Sequence, residues 1–143
     1  MSEKVRKVLV VDDEEDFCSL TKQAIKAMTN FKVMTATDGR KAVSLAKKEN
    51  PDVILLDIMM PGMSGSVVAE ELLENPRTAS IPIIFVTAIV KDSEIKDSDG
   101  MLGNRMFIAK PINVNNLLEK MHMVLGLPHV PKETSDEDGW FLT

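Results

Sequence analysis

The sequence predicts a doubly wound α/β fold, in which five parallel strands form one sheet with helices on both faces. Short apolar runs alternate along the chain with segments whose apolar residues recur every three or four positions. This alternation is typical of a parallel sheet with right-handed helical crossovers. The length of 143 residues, with 44% hydrophobic and 27% charged residues, fits one domain with a single core.

Two strand–helix units are predicted in the first third of the chain. The β-branched run Val8–Val11 predicts a strand buried on both faces. Lys32–Thr35 predicts a second strand, and Asp38 is expected to cap a helix that ends before Pro51. Between these two strands, an amphipathic helix is predicted from Glu14 to about Met28. Its apolar stripe is formed by Phe17, Leu20, Ala24, Ile25 and Met28.

Three further units follow. Apolar runs at Val53–Leu56, Ile83–Val86 and Met106–Ala109 predict the third, fourth and fifth strands. The loop "DIMMPGMSG" follows the third strand, and the helix after it is expected to end at Asn75-Pro76. That helix carries Val67, Val68, Leu72 and Leu73. The last helix has one apolar stripe, formed by Val114, Leu117, Leu118, Met121, Val124 and Leu125.

Composition excludes several classes of protein. The net charge is -5 and the basic residues are scattered, which argues against direct binding to nucleic acid. Cys18 is the only cysteine, so an intrachain disulfide is excluded. The N-terminus has no apolar stretch long enough for a signal peptide or a membrane span, and we expect a cytoplasmic protein with no membrane contact.

Polar residues stand at the carboxyl end of four predicted strands. Asp12 and Asp13 follow the first strand, Asp57 the third, Thr87 the fourth and Lys110 the fifth. Because doubly wound folds place their sites at the carboxyl ends of the strands, we expect these side chains to share one rim of the sheet. The acids that come next, Glu14, Glu15 and Asp16, are assigned to the start of the first helix, whose dipole favours negative charge.

Three carboxylates on one rim need positive charge close by. Two unit charges about 4 Å apart repel by about 4 kcal/mol at an effective dielectric near 20. Mg²⁺ suits such a site, since it typically binds one or two carboxylates, waters and a phosphate. With Lys110 it would neutralise a carboxylate nucleophile and an incoming phosphoryl group, as formation of an aspartyl phosphate requires. The Thr87 hydroxyl can then donate a hydrogen bond to a phosphoryl oxygen.

The set Asp12-Asp13, Asp57, Thr87-Ala88 and Lys110-Pro111, with "DIMMPGMSG" after the third strand, resembles the receiver domain of two-component response regulators. The resemblance covers about residues 4–126. It implies a flavodoxin-like strand order 2-1-3-4-5.

The resemblance also implies a role for each site residue. Asp57 would be the phosphoacceptor, Asp13 and Asp57 would bind Mg²⁺ directly, and Asp12 would act through a bound water. Lys110 would contact the phosphoryl group, and the peptide bond before Pro111 would be cis. The remaining roles are a backbone carbonyl metal ligand at Met59 and switch residues at Thr87 and Phe107.

The function that follows is a phosphoacceptor signalling switch. A sensor histidine kinase or a histidine phosphotransfer protein would donate the phosphoryl group to Asp57, and the affinity for an unidentified output protein would change. The chain is consumed as the acceptor, so we do not expect an enzyme; dimerisation is left open. Three alternatives are a Mg²⁺-dependent haloacid-dehalogenase-like phosphatase, which needs Asp-x-Asp after its first strand, a flavin-binding module, and a phosphorylation-independent interaction domain.

Two features depart from the usual receiver pattern, and the C-terminal tail departs in composition from the domain. The segment "VKDSEIKDSDGMLGN" is poor in apolar residues, so we expect its fourth helix to be short or mobile. Met59 and Ile89, two residues past Asp57 and Thr87, are apolar, which predicts slow self-dephosphorylation. Residues 128–143 form an acidic, proline-containing tail, predicted to be extended or disordered after a receiver at residues 1–127. Its end, Trp140-Phe141, is either a docking peptide, a patch that folds onto the domain, or a loose terminus.

Overall fold

The computed structural model describes residues 5–88, 101–102, 105–127 and 141–142. The helices in these ranges are α1 (Glu15–Met28), α2 (Gly39–Glu49), α3 (Gly65–Glu74) and α4 (Val114–Leu125). The strands are β1 (Lys7–Val11), β2 (Lys32–Ala36), β3 (Val53–Asp57), β4 (Ile83–Thr87), β5 (Met101–Leu102), β6 (Arg105–Ala109), β7 (Ile112–Asn113) and β8 (Phe141–Leu142).

Five strands of five residues each form the parallel sheet, in the spatial order β2-β1-β3-β4-β6. Because β6 is the fifth of these along the chain, the predicted order 2-1-3-4-5 is confirmed. The two-residue strand β5 pairs antiparallel with β6 and extends that edge of the sheet.

Alternate residues of each strand supply two separate apolar layers. Along β1, Val8 and Val10 belong to the layer that α1 and α4 cover, whereas Leu9 and Val11 belong to the layer that α2 and α3 cover. This follows from the two-residue period of a strand, whose successive side chains point to opposite faces. The prediction of helices on both faces is therefore confirmed.

Side-chain caps fix where three helices begin. The carboxylate of Asp38 accepts a hydrogen bond from the Lys41 amide at 2.8 Å, which confirms the predicted cap of α2. Ser64 caps α3 and Asn113 caps α4 in the same way, at 3.4 Å and 3.1 Å. The cap of α4 places this helix directly after the segment that carries Lys110 and Pro111.

The predicted apolar stripe of α1 is wrong at one position. Leu20 is 45% exposed, and the next residue, Thr21, is completely buried in its place. Thr21 can be buried because its hydroxyl donates to the Phe17 carbonyl oxygen at 2.7 Å, which leaves no unpaired polar atom. The other predicted stripe residues of α1 are buried or partly buried against the core.

The end of the tail pairs with the domain. Phe141–Leu142 lies antiparallel to Ile112–Asn113, with Leu142 opposite Ile112. Of the alternatives for this segment, the pairing favours the one in which it folds onto the domain. Residues 128–140, and the predicted domain boundary after residue 127, lie outside the described ranges or at their limit.

Two further expectations concern the fourth helix, predicted after Thr87, and the absence of a membrane-spanning helix. The predicted short or mobile fourth helix falls on residues 90–104, most of which lie outside the described residues; Met101–Leu102, within it, forms β5. Within the described part of the chain, none of the helices combines the length and apolarity needed to cross a bilayer.

Candidate functional site

Three carboxylates converge at the carboxyl end of the sheet. Asp12 directly follows β1, and Asp57 is the last residue of β3, which lies beside β1. One carboxylate oxygen each from Asp12, Asp13 and Asp57 lies within 4.8 Å of the others. Asp12 is completely buried and Asp57 is 6% exposed, whereas Asp13 faces solvent. The structure thus brings together the acids that the sequence places at two neighbouring strand ends.

Lys110 lies among these acids. Its ammonium nitrogen is 2.7 Å from Asp12 Oδ2 and 4.0 Å from Asp57 Oδ2, and its side chain is 15% exposed. Burial by itself lowers the pKa of Lys110, but the hydrogen bond and the charge of Asp12 outweigh it, so the net pKa is raised. The ammonium therefore stays charged at neutral pH.

Asp12 is held by both carboxylate oxygens. Oδ1 accepts the Glu14 amide at 2.9 Å, and Oδ2 accepts the Lys110 ammonium. The thiol of Cys18 donates to the Asp12 carbonyl oxygen at 3.3 Å, which ties α1 to the end of β1. Burial, and then the charge of Asp12, raises the pKa of the Cys18 thiol to about 11, so no thiolate forms there at neutral pH.

The helix that begins here uses the remaining acids of the run. Glu14 is the N-cap residue of α1, without a side-chain cap hydrogen bond, and Glu15 and Asp16 lie in its first turn. Negative charge in a first turn is favoured by the helix dipole. The acidic run thus divides between the rim of the sheet and the start of a helix.

The carboxyl of Asp57 has a strongly shifted affinity for protons. Burial first, and then the negative charge of Asp12, raises its pKa to about 6; Lys110 and the Met59 amide, 3.4 Å from Oδ1, oppose the shift. Three carboxylates and one ammonium group leave a formal surplus of negative charge at the rim. A site of this kind, with all-oxygen donors and surplus negative charge, fits a hard divalent cation such as Mg²⁺.

The Asp57→Asn variant should be more stable than the wild type when no metal is bound. Above pH 6 the folded wild type holds a buried ionised carboxylate, and the difference between a pKa of about 6 and the usual 3.8 corresponds to at most about 3 kcal/mol. The folded carboxyl takes up a proton as the pH falls below its pKa, so the gain should shrink and vanish near pH 4. Urea unfolding across this pH range measures it.

Glu70→Gln is the control for this comparison, because Glu70 is an exposed carboxylate on α3. It should change the free energy of unfolding by less than about 0.5 kcal/mol at each pH. An Asp57→Asn variant that is less stable than the wild type at neutral pH would contradict the assignment of the raised pKa to burial and charge crowding.

A close backbone contact holds the loop after Asp57. Gly65, the first residue of α3, donates its amide to the Ile58 carbonyl oxygen at 2.9 Å. A Cβ atom at this position would overlap the Asp57 carbonyl oxygen and approach Ile58 Cα to 2.9 Å. These are backbone atoms, which cannot rotate away as a side chain can, so only glycine allows α3 to begin this close to β3.

Gly65→Ala should therefore destabilise the chain by about 2 kcal/mol or more and displace the Asp57 backbone. Gly126→Ala is the control: Gly126 ends α4 with φ 68°, and a Cβ there meets nothing within 4 Å. Its expected cost is about 1 kcal/mol. Urea unfolding measures both losses, and equal losses would show that the contact between Gly65 and β3 has no special effect.

The two residues expected to act as switches lie on adjacent strands. Thr87 is completely buried at the end of β4, and its carbonyl oxygen accepts the Lys110 amide at 3.0 Å. Phe107 on β6 is half-buried, and its ring stacks on Phe85 with centroids 5.2 Å apart. The peptide bond between Lys110 and Pro111 is cis, as the resemblance implies.

Sequence reasoning missed one aromatic side chain at the site. The ring of Phe17 faces the ammonium of Lys110, with 4.3 Å from Nζ to the ring centroid. Phe17 was assigned only to the apolar stripe of α1. The one sequence feature that could have indicated a contact between Phe17 and the site is its place in the first turns of a helix that begins at the rim.

Comparison with known proteins identifies the family. The family model for the response regulator receiver domain matches residues 8–122. The Protein PilH of Pseudomonas aeruginosa is 36% identical over 122 residues, covering 84% of this chain and 98% of PilH. The chain belongs to the response regulator receiver domain family, and thus to the proteins of two-component signalling.

Longer relatives and solved structures agree. The response regulator PleD of Caulobacter vibrioides is 39% identical over 108 residues, or 75% of this chain, but the match spans only 23% of PleD. The chemotaxis protein CheY4 of Vibrio cholerae has a TM-score of 0.73 at 28% identity, with 85% of this chain and 100% of that chain covered. The response regulator domain of Thermotoga maritima CheB has a TM-score of 0.71 at 28% identity, with coverages of 88% and 100%.

Proposed function

We propose that this receiver is a phosphoacceptor switch, in which Asp57 takes a phosphoryl group from a sensor histidine kinase or a histidine phosphotransfer protein. One observation carries the proposal: three carboxylates converge within 4.8 Å at the rim of the sheet, with the Lys110 ammonium between Asp12 and Asp57. A cytoplasmic location, where such donors present their phosphohistidine, is part of the proposal.

Mg²⁺ would be held directly by the carboxylates of Asp13 and Asp57 and by the backbone carbonyl of Met59, and Asp12 would act through a bound water. When bound, it supplies positive charge that offsets repulsion between the carboxylates and the phosphoryl oxygens. The grouping of the three carboxylates around a single lysine supports this assignment, since it leaves a formal surplus of negative charge at the rim.

The transfer uses Asp57 as the nucleophile. A carboxylate oxygen attacks phosphorus and a phosphorus–oxygen bond forms, while the phosphorus–nitrogen bond of the donor breaks. The donor imidazole already carries a proton on its other ring nitrogen, so it leaves as neutral imidazole. Lys110 is close enough to Asp57 to pair with a phosphoryl oxygen through its ammonium group. Because Asp57 is consumed in each transfer, the chain acts as an acceptor and not as an enzyme.

The switch would run from Thr87 to Phe107. The Thr87 hydroxyl would donate to a phosphoryl oxygen, which draws the end of β4 towards Asp57. Phe85 and Phe107 face each other in the register of β4 and β6, so a change at β4 would be transmitted to the half-buried Phe107 ring. Phosphorylation would shift an existing equilibrium in this region and so change the affinity for an output partner or for a second copy of the chain.

The aspartyl phosphate should be long-lived, because Met59 beside Asp57 is apolar and 63% exposed, and its side chain cannot orient an attacking water. Met59→Asn supplies a polar group there and should accelerate hydrolysis by about tenfold or more. Met123→Asn, at a methionine 54% exposed on α4, is the control and should have no effect. Loss of the phosphoryl group from purified protein over time measures all three rates; a wild-type lifetime of seconds would contradict the prediction.

Incubation with acetyl phosphate and Mg²⁺, followed by intact mass, tests the proposed function. One phosphoryl addition per chain, dependent on Mg²⁺, is the expected result. No addition from acetyl phosphate or from a phosphorylated histidine phosphotransfer protein would leave a phosphorylation-independent interaction domain as the better reading.

A further inference from the structure

The ammonium of Lys110 has an uncharged neighbour as well as its two acids. Its nitrogen lies 4.3 Å from the centroid of the Phe17 ring, 2.7 Å from Asp12 Oδ2 and 4.0 Å from Asp57 Oδ2. A cation over the face of an aromatic ring is attracted by the ring quadrupole, and more strongly when it is removed from water. The Lys110 side chain is only 15% exposed, so the contact lies in the stronger range.

The Phe17 ring is itself firmly held. It is 4% exposed and belongs to the apolar layer under α1 and α4. The backbone around it is fixed on both sides, because Thr21 donates to the Phe17 carbonyl oxygen at 2.7 Å and the neighbouring Cys18 thiol donates to the Asp12 carbonyl oxygen at 3.3 Å. The ring thus has a defined position relative to the carboxylate of Asp12.

We propose that Phe17 is a positioning residue for Lys110: its ring holds the ammonium at the rim of the sheet, within reach of Asp57. The proposal rests on the phosphoacceptor function, since it assigns Phe17 a part in the same site. A lysine side chain has many rotamers, and ordering it has an entropic cost. Attraction to the ring disfavours the rotamers in which the ammonium leaves the rim of the sheet.

The ring differs from the acids in one respect that matters for the transfer. The ionic partners of Lys110 change when a phosphoryl group arrives on Asp57, because the phosphoryl oxygens then compete with Asp12 for the ammonium. The attraction of the Phe17 ring does not depend on the charge state of either acid. Lys110 can therefore exchange one anionic partner for another while it keeps the same aromatic contact.

Fluorination tests the ring's electrostatics at nearly constant shape. We would incorporate mono-, di- and trifluorophenylalanine at position 17 of the full chain, which weakens the negative face of the ring in steps. The second-order rate of phosphoryl uptake from acetyl phosphate with Mg²⁺ should fall stepwise, to a total of about threefold to thirtyfold. The same series at Phe31, which is 6% exposed in the same apolar layer and contacts His122, should leave the rate unchanged.

A second measurement needs no phosphorylation. In metal-free protein, the NMR signals of the Lys110 ε-methylene group should be shifted by the ring current of Phe17. They should move to ordinary lysine positions in Phe17→Leu but not in Phe31→Leu, although both variants lose a buried ring and a similar amount of stability. This separates positioning of Lys110 from packing.

The outcomes are distinct. A fluorinated Phe17 protein that reacts at the wild-type rate, or an equal loss in the Phe31 series, would overturn the proposal. If the wild type takes up no phosphoryl group, the proposed function fails, and the NMR comparison alone decides whether Phe17 positions Lys110. Lys110 ε-methylene signals at ordinary lysine positions in the wild type would also overturn the proposal that Phe17 positions Lys110.

Discussion

The Asp57→Asn variant is expected to take up no phosphoryl group from acetyl phosphate and Mg²⁺ under conditions in which the wild-type chain gains one. The amide keeps the size of the side chain but removes the anionic oxygen that we propose attacks phosphorus. Asp57 is 6% exposed at the end of β3, where the sheet fixes its backbone. Intact mass measures the loss, which should be complete.

Asp52→Asn is the matched control. Asp52 precedes the same strand at its opposite end, where its carboxylate accepts the Lys7 amide at 2.8 Å. This variant should be phosphorylated to the wild-type extent, even though it loses a carboxylate from a residue next to β3. Full phosphorylation of Asp57→Asn would contradict the assignment of the phosphoacceptor.

Asp13→Asn is expected to abolish Mg²⁺ binding in the millimolar range, a loss of at least about 100-fold in affinity. Asp13 is exposed, so its substitution should alter the stability of the chain by less than about 0.5 kcal/mol and leave the fold intact. The loss would therefore report the missing ligand and not unfolding. Isothermal titration calorimetry with MgCl₂ at about pH 7.5, where the Asp57 carboxyl is ionised, measures the affinity.

Glu15→Gln provides the comparison, since Glu15 is also exposed and stands two residues further along the same acidic run. It lies in the first turn of α1, where its charge favours the helix. Its Mg²⁺ affinity should stay within about twofold of the wild type, because the charge lost is outside the proposed metal site. Equal losses in both variants would mean that the run attracts Mg²⁺ only by its total charge.

The elements and the rim of the site could be predicted because each depends on a local pattern. Runs such as Val8–Val11 and Val53–Leu56 have the composition of strands buried on both faces, and the structure extends each by one residue. In a parallel sheet the carboxyl ends of neighbouring strands meet, so Asp12 and Asp57 come together despite their separation in sequence. The strand order required the resemblance to a family, since periodicity does not say which strands pair.

The structural features that could not be predicted from the sequence share a different cause. The strands β5, β7 and β8 have two residues each, too few for any periodic pattern to show. The burial of Thr21 in place of Leu20 depends on a hydroxyl that bonds to its own helix, which hydrophobicity does not register. The contact between Phe17 and Lys110 joins the first helix to the end of the sheet's last long strand, and only the folded chain brings them together.

Chemical location of the phosphoryl group tests most directly whether Asp57 is the phosphoacceptor. Sodium borohydride reduces an aspartyl phosphate to homoserine, so the chain would be phosphorylated with acetyl phosphate and Mg²⁺, reduced, digested and sequenced by mass spectrometry. Homoserine is expected at position 57 and at no other aspartate. Homoserine at position 12 or 13, or a phosphorylated chain without any homoserine, would contradict it.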